Sequence, residues 1–131
     1  MYDSENQKAL VDTKKIFVLA KADEKFLNAL MDFTESNWYN TNLKVDDFIK
    51  PVQSSKSQLY RKIIALTGQS PNDFIREYRL NEALGLLNKN AGNVSEIAFE
   101  TGFSSPSYFS KCFQKRYGLA PSDYLPAKTV Q

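Results

Sequence analysis

Apolar residues recur with helical spacing along most of the chain, and short polar turns separate the apolar stretches. The pattern predicts a first helix that begins at Asp23, a short helix near 45–50, a helix at 56–67 and a long helix near 71–88. Beyond it, the pattern predicts two helices within 93–117 and a last helical turn after Pro121. The sequence therefore predicts an all-α fold of about seven helices.

The stretch 93–118 has the signals of two helices joined by a tight turn. Asn93 can cap the first helix, with Glu96 three residues later as its capping-box partner. Gly102 can end that helix, because glycine tolerates a left-handed backbone. Ser105 can cap the second helix, and a proline follows at the first helical position. The stretch therefore predicts a helix-turn-helix.

The second of these helices has one buried side and one polar side. Phe109 and Phe113 form the predicted buried stripe. The opposite stripe carries polar and basic residues at helical spacing: Ser107, Ser110, Lys111 and Gln114. Such a face suits a helix that enters the major groove of DNA, and it equally suits an ordinary helical hairpin with a solvated surface.

An internal repeat favours the first interpretation. A shift of 50 residues places the second unit on an earlier copy: Ser105 on Ser55, Ser107 on Ser57, Lys111 on Arg61, Gly118 on Gly68, Pro121 on Pro71 and Asp123 on Asp73. The helix before the turn matches with a shift of 49. The sequence thus predicts two helix-turn-helix subdomains, at about 44–67 and 93–117, joined by a long connecting helix at about 71–88.

Composition excludes several classes of chemistry. The chain has no histidine and one cysteine, Cys112. Histidine-based catalysis, histidine-ligated metals and intrachain disulfides therefore have no residues to support them. No phosphate-binding glycine loop is present either, and we expect neither enzyme activity nor a cofactor or metal.

The charge distribution separates the two parts of the chain. Up to Gln53 there are seven Lys/Arg and nine Asp/Glu, a balance of 7 − 9 = −2. From Ser54 onward there are ten and six, a balance of 10 − 6 = +4. The basic excess lies where both polar stripes lie, as a DNA-binding face requires.

The outer stripes supply the candidate contacts to double-stranded DNA. The candidate base contacts are Ser57, Tyr60 and Arg61 in the first unit and Ser107, Ser110 and Lys111 in the second. The candidate phosphate contacts, at helix edges, are Lys56, Lys62, Lys115 and Arg116. The competing interpretation of each is a solvated surface side chain. Arg79, on the connecting helix, is expected to be a structural partner of Glu82 or Glu96.

These motifs resemble the DNA-binding domain of the AraC/XylS family of bacterial transcription regulators. The strongest part is I-A-F-E-T-G-F-S-S-P-S-Y-F-S-K-C-F-Q-K-R-Y-G-L-A-P-S-D-Y. The string S-Q-L-Y-R-K-I-I-A-L-T-G-Q-S-P-N-D-F-I-R is similar to the C-terminal output domain of hybrid two-component regulators from Bacteroidetes. The resemblance places the family's base-contacting positions on the six residues above and on Pro106, which has no hydrogen to donate.

The resemblance also implies an organisation and a set of partners. It implies that the DNA-binding domain spans 22–127. Polar and charged residues dominate 1–21, which we expect to be a tail or linker, and 128–131 is expected to be a C-terminal tail. It implies control of transcription, often of carbohydrate-utilisation genes, with RNA polymerase and upstream sensor or receiver domains as partners. The single cysteine makes a reducing cytoplasm the expected compartment. The segment has no run of about 18 apolar residues, so we expect no membrane contact.

The first unit departs from the family pattern at three positions. Ile49 stands where the family has alanine, Pro51 falls late in the short helix, and Gln53 replaces the turn glycine. Pro51 is expected to end that helix early and to open the turn. A distorted first unit leaves a second interpretation open, in which the domain is a protein-interaction module with weak or no specific DNA binding.

Overall fold

The computed structural model contains five α-helices and two 3-10 helices. It describes the backbone of residues 4–125 and the side chains of residues 20–125. The α-helices are α1 (Ser4–Asn37), α2 (Lys56–Thr67), α3 (Pro71–Asn88), α4 (Val94–Glu100) and α5 (Pro106–Tyr117). The 3-10 helices span Val45–Phe48, before α2, and Pro121–Tyr124, after α5. The predicted all-α fold is confirmed, with these seven helical elements in the described part of the chain.

Two separate hydrophobic cores divide the fold into two subdomains. The first core is formed by α1, the first 3-10 helix, α2 and the start of α3: Phe26, Leu30, Val45, Phe48, Val52, Leu59, Ile63 and Ile75. The second is formed by the rest of α3, α4, the turn after it and α5: Leu80, Ala83, Leu87, Ile97, Ala98, Phe103, Phe109 and Phe113. Helix α3 thus contributes one end to each core, as the connecting helix was predicted to do.

The predicted repeat recurs in the capping of α2 and α5. Each helix has 12 residues, and each begins after a serine whose side chain accepts a backbone N–H, Ser55 from Gln58 and Ser105 from Tyr108. Each ends at a left-handed glycine, Gly68 at φ +74° and Gly118 at φ +82°. The same start and stop signals therefore set both helices at the same length.

The two turns that precede α2 and α5 have the same hydrogen bonds. At a shift of 49 residues, three hydrogen bonds from a backbone N–H to a backbone carbonyl recur. The bond from Val52 to Phe48 corresponds to the bond from Thr101 to Ile97, the bond from Gln53 to Lys50 corresponds to that from Gly102 to Phe99, and the bond from Ser54 to Ile49 corresponds to that from Phe103 to Ala98. All six N···O distances lie between 3.0 and 3.2 Å. The prediction of an opened first turn is therefore wrong.

The first helix-turn-helix nevertheless differs from the second in the element before the turn. That element is a single 3-10 turn that ends at Phe48, whereas its counterpart is the α-helix α4. The early end agrees with the expected effect of Pro51, which has no backbone N–H to continue a helix. Gln53 closes the turn by adopting the left-handed conformation, with φ +53°.

Helix α1 is longer than the sequence pattern predicted. It begins at Ser4, so the predicted start at Asp23 is wrong. Residues 4–22 lack a clear apolar period, and helix propensity without such a period gave too weak a signal. The domain limit near residue 22 stays a prediction. The predicted tail at 128–131, with Pro126 and Ala127, lies outside the described residues.

Replacing Gln53 with glycine is expected to raise the free energy of unfolding by about 0.5–1 kcal/mol. A side chain in the left-handed region costs about 1–2 kcal/mol, and the greater freedom of glycine in the unfolded chain offsets part of the gain. Urea denaturation measures the change. Gln69→Gly is the matched control, because Gln69 has no positive φ and its replacement is expected to lower stability. Equal effects of the two substitutions would contradict a strained Gln53.

Candidate nucleic-acid interface

The outer stripe of α2 is held outward by the burial of its opposite side. Leu59 and Ile63 are buried in the first core, so Ser57 and Arg61 are exposed. Tyr60 is half-buried and packs against that core, which leaves only part of its ring accessible. Ile64, one turn beyond Tyr60, is 51% exposed and extends the stripe with an apolar side chain.

The outer stripe of α5 has the same construction. Phe109 and Phe113 are fully buried in the second core, and Ser107 and Lys111 are exposed on the other side. Ser110 is half-buried. Within residues 20–125, Lys111 has no ion pair, so its ammonium group is available to a ligand. The structure thus places the six candidate base contacts at equivalent positions of two equivalent helices.

The four candidate phosphate contacts have different surroundings. Lys56 pairs with Asp46 at 3.3 Å, and both side chains are 62% exposed. The Lys62 ammonium lies 5.1 Å from the centre of the Phe26 ring, toward α1. Lys115 is exposed and has no ion pair in the described part of the chain.

Arg116 is already engaged by the connecting helix. Its Nε donates to Glu77 Oε1 at 2.6 Å, and its guanidinium lies 4.9 Å from the centre of the Tyr117 ring. The hydrogen bond to Glu77 raises the pKa of Arg116. The pair joins the end of α5 to α3, a role that the sequence pattern did not indicate.

Arg79 has a structural role, but its expected partners are wrong. Instead of Glu82 or Glu96, it binds the end of α1: Nε donates to the Trp38 carbonyl at 2.8 Å, and a terminal nitrogen donates to the Asn40 carbonyl at 2.7 Å. A cation at a helix C-terminus is favourable because the last carbonyls lack partners. Burial lowers the pKa of Arg79.

Sequence reasoning missed two residues beside the α5 stripe. Tyr108 is 47% exposed and Arg76 is half-buried, and both line a groove between α3 and α5. Arg76 pairs with Asp73 at 2.9 Å, one turn earlier on α3. Tyr108 precedes Lys111 by three residues, and that helical spacing was the available signal.

Metal clusters and membrane-spanning helices are two features that the described residues do not contain. Over that part of the chain, no group of three or more His, Cys, Asp or Glu side chains can hold a metal ion. None of the helices, as far as the chain is described, is long and apolar enough to cross a membrane.

A family model described as a helix-turn-helix domain matches residues 50–127, more than half of the chain. The match includes α2, the connecting helix α3 and the complete second helix-turn-helix. It therefore includes all six candidate base contacts and all four candidate phosphate contacts.

Two curated relatives extend the comparison. The chain is 39% identical over 112 residues to "Histidine kinase P4" of Formosa agariphila, a match that covers 86% of this chain and 8% of that protein. It is 31% identical over 94 residues to the "Lactose operon transcription activator" of Staphylococcus xylosus, covering 72% of this chain and 33% of that one. The chain thus spans less than two thirds of the length of either relative.

A solved structure of a similar protein has the same fold. A transcriptional regulator from Chromobacterium violaceum, described as an AraC-type DNA-binding domain-containing protein, superposes with a TM-score of 0.71 at 28% identity. The superposition covers 80% of this chain and 92% of that one. The matched family model, the two capped helices and this shared fold agree, and the chain belongs to the AraC-type helix-turn-helix family, the DNA-binding domains of transcription regulators.

Proposed function

We propose that this chain is the sequence-specific output domain of a longer bacterial transcription regulator. The observation that carries the proposal is the presence of two equally long, equally capped helices, each with an exposed polar stripe opposite a buried one. Two such helices on one connecting helix can enter successive major grooves on one face of DNA, which lie about 34 Å apart.

The residues on the two stripes are suited to different contacts with DNA. Arg61 can donate two hydrogen bonds to guanine O6 and N7, and Lys111 can donate to the same atoms with less rigid geometry. Ser57, Ser107 and Ser110 are short donors or acceptors for base edges or phosphates. The half-buried Tyr60 presents only part of its ring, for contact with a thymine methyl or a phosphate.

The basic residues at the helix edges position the domain on the DNA backbone. Lys56 can turn from Asp46 to a phosphate, because that ion pair is exposed to solvent. Lys62 would have to leave the Phe26 ring to reach a phosphate. Lys115 needs no such exchange. We assign Arg116 mainly to holding α5 against α3, because its nitrogen is already bound by Glu77.

The names of two relatives support the regulatory setting that we propose. A match to a protein named as a histidine kinase supports upstream sensor or receiver domains and a place in two-component signalling. A match to a lactose operon activator supports control of carbohydrate-utilisation genes. In this proposal the domain acts in the cytoplasm, where it binds an operator and contacts RNA polymerase.

The salt dependence of binding to duplex DNA tests the proposal. About six phosphate contacts are expected to give a slope near −5 in a plot of log affinity against log salt concentration. Fluorescence anisotropy with a labelled duplex measures that slope. A protein-interaction module that kept the fold would bind DNA weakly and without such a slope, and that result would overturn the proposed function.

A further inference from the structure

A groove of about 580 Å³ lies between the connecting helix α3 and the second recognition helix α5. Arg76 contributes to its α3 side, and Lys111, Lys115 and Arg116 contribute to its α5 side. The glycine that ends α2, Gly68, lies at its edge. The groove is therefore bounded by α5, by α3 and by the turn that links α2 to α3.

The groove carries a net positive charge. Its four cationic side chains face two carboxylates, Asp73 and Glu77, which gives 4 − 2 = +2. Each carboxylate holds one arginine, Asp73 pairing with Arg76 at 2.9 Å and Glu77 with Arg116 at 2.6 Å. Within the described residues, neither Lys111 nor Lys115 has an ion pair. The two lysines are thus the charges that this groove leaves uncompensated.

The equivalent positions of the first unit lack two of these cationic side chains. At a shift of 50 residues, Lys115 corresponds to Ala65 and Arg116 to Leu66. The counterparts of Tyr108 and Lys111, which are Gln58 and Arg61, line a smaller depression of about 250 Å³ together with Lys62. The repeated helix-turn-helix pattern therefore accounts for the cation at Lys111, but Lys115 and Arg116 are particular to the second unit.

We infer that this groove binds a phosphate of the DNA backbone in the segment between the two half-sites. The inference rests on the proposed DNA binding and adds a contact site to it. Lys111 belongs both to the outer stripe of α5 and to the groove, so DNA seated on that stripe brings its backbone alongside Lys115. Arg76, oriented by Asp73, supplies a second donor from the connecting helix.

This contact gives the connecting helix a direct part in binding. A phosphate held by Lys115 and Arg76 fixes the backbone between the two major grooves, where neither recognition helix reads bases. It is expected to strengthen binding to sites with the natural separation of half-sites and to contribute little at an isolated half-site.

The test combines a protein substitution with a change of one phosphate. Duplexes that carry both half-sites receive a neutral methylphosphonate at single positions between them, and affinity is measured for the wild type and for Lys115→Ala. One central methylphosphonate is expected to weaken wild-type binding roughly threefold to tenfold, and to have almost no effect on Lys115→Ala. Lys115→Ala is also expected to reduce the magnitude of the salt slope by about 1.

Lys89→Ala is the matched control. Lys89 is exposed and lies at the opposite end of α3, roughly 20 Å from Arg76 at 1.5 Å per residue. The Lys89→Ala variant loses the same charge as Lys115→Ala, but at a position far from the groove. It is therefore expected to keep the wild-type sensitivity to the central methylphosphonate. Thermal unfolding of both variants checks that neither substitution disturbs the fold.

The other outcomes separate this inference from the proposed function. Equal sensitivity of the wild type and Lys115→Ala to every central methylphosphonate, with DNA binding intact, would overturn the groove contact alone. Absence of any salt-dependent DNA binding would overturn both. Saturable binding of inorganic phosphate, detected by NMR shifts that Lys115→Ala abolishes, with no effect of methylphosphonates, would assign the groove to a small phosphorylated ligand and overturn its assignment to DNA.

Discussion

Gly102→Ala is expected to lower the free energy of unfolding by about 3 kcal/mol, the sum of a backbone strain and a close contact. Gly102 adopts φ +90° in the turn between α4 and α5, a conformation that costs other residues about 1–2 kcal/mol. An added Cβ would lie 2.6 Å from Arg79 Nε and 3.0 Å from the Trp38 carbonyl oxygen. Arg79 would have to move and weaken its two hydrogen bonds to the end of α1.

Two other glycines provide matched controls for this measurement. Gly118 has φ +82° but no atom within 4 Å of an added Cβ, so Gly118→Ala is expected to cost only the backbone strain, about 1–2 kcal/mol. Gly85 lies inside α3 with open space around it, so Gly85→Ala is expected to stabilise the domain by about 0.5–1 kcal/mol. Urea denaturation of the three variants measures these changes. Equal losses of unfolding free energy for Gly102→Ala and Gly118→Ala would contradict the close contact with Arg79.

Arg61→Ala and Lys111→Ala are expected to reduce DNA affinity by about fivefold to 150-fold each, equivalent to about 1–3 kcal/mol per base contact. Arg61→Ala should relax sequence preference at one half-site and Lys111→Ala at the other, because the two residues occupy equivalent positions on α2 and α5. Competition binding against single-base variants of each half-site measures the loss.

The exposed Lys89 again supplies the charge-matched control, because it lies on neither outer stripe. Lys89→Ala is expected to leave sequence preference at both half-sites unchanged. If Arg61→Ala and Lys111→Ala weakened binding equally to every sequence, both residues would be phosphate contacts, and the assignment of base reading to them would be wrong.

The local signals in the sequence predicted most of the helices. Serine caps, prolines at first helical positions and terminal glycines act within a few residues, and they set the limits of α2, α3 and α5 as the pattern indicated. The repeat was visible for the same reason, since both units use the same caps. The alternative of an opened first turn failed because Gln53 adopts the backbone conformation that its glycine counterpart adopts.

The contacts between the subdomains were not predictable in the same way. Arg79 binds carbonyl groups of Trp38 and Asn40, about 40 positions earlier in the chain. Every residue has a backbone carbonyl, so the pattern of side chains does not indicate which carbonyls an arginine binds. The Arg116–Glu77 pair likewise joins residues 39 positions apart. The groove beside α5 depends on how α3 packs against it, so its cationic lining appeared in the sequence only as separate basic residues.

Selection of bound sequences from a randomised duplex library by the purified chain tests whether both helix-turn-helix units read bases. Two enriched blocks about one helical turn apart are expected, one lost on Arg61→Ala and the other on Lys111→Ala. A single block that depends on Lys111 alone would contradict base reading by the first helix-turn-helix. No enrichment of any sequence would contradict the central claim that this chain is a sequence-specific DNA-binding domain.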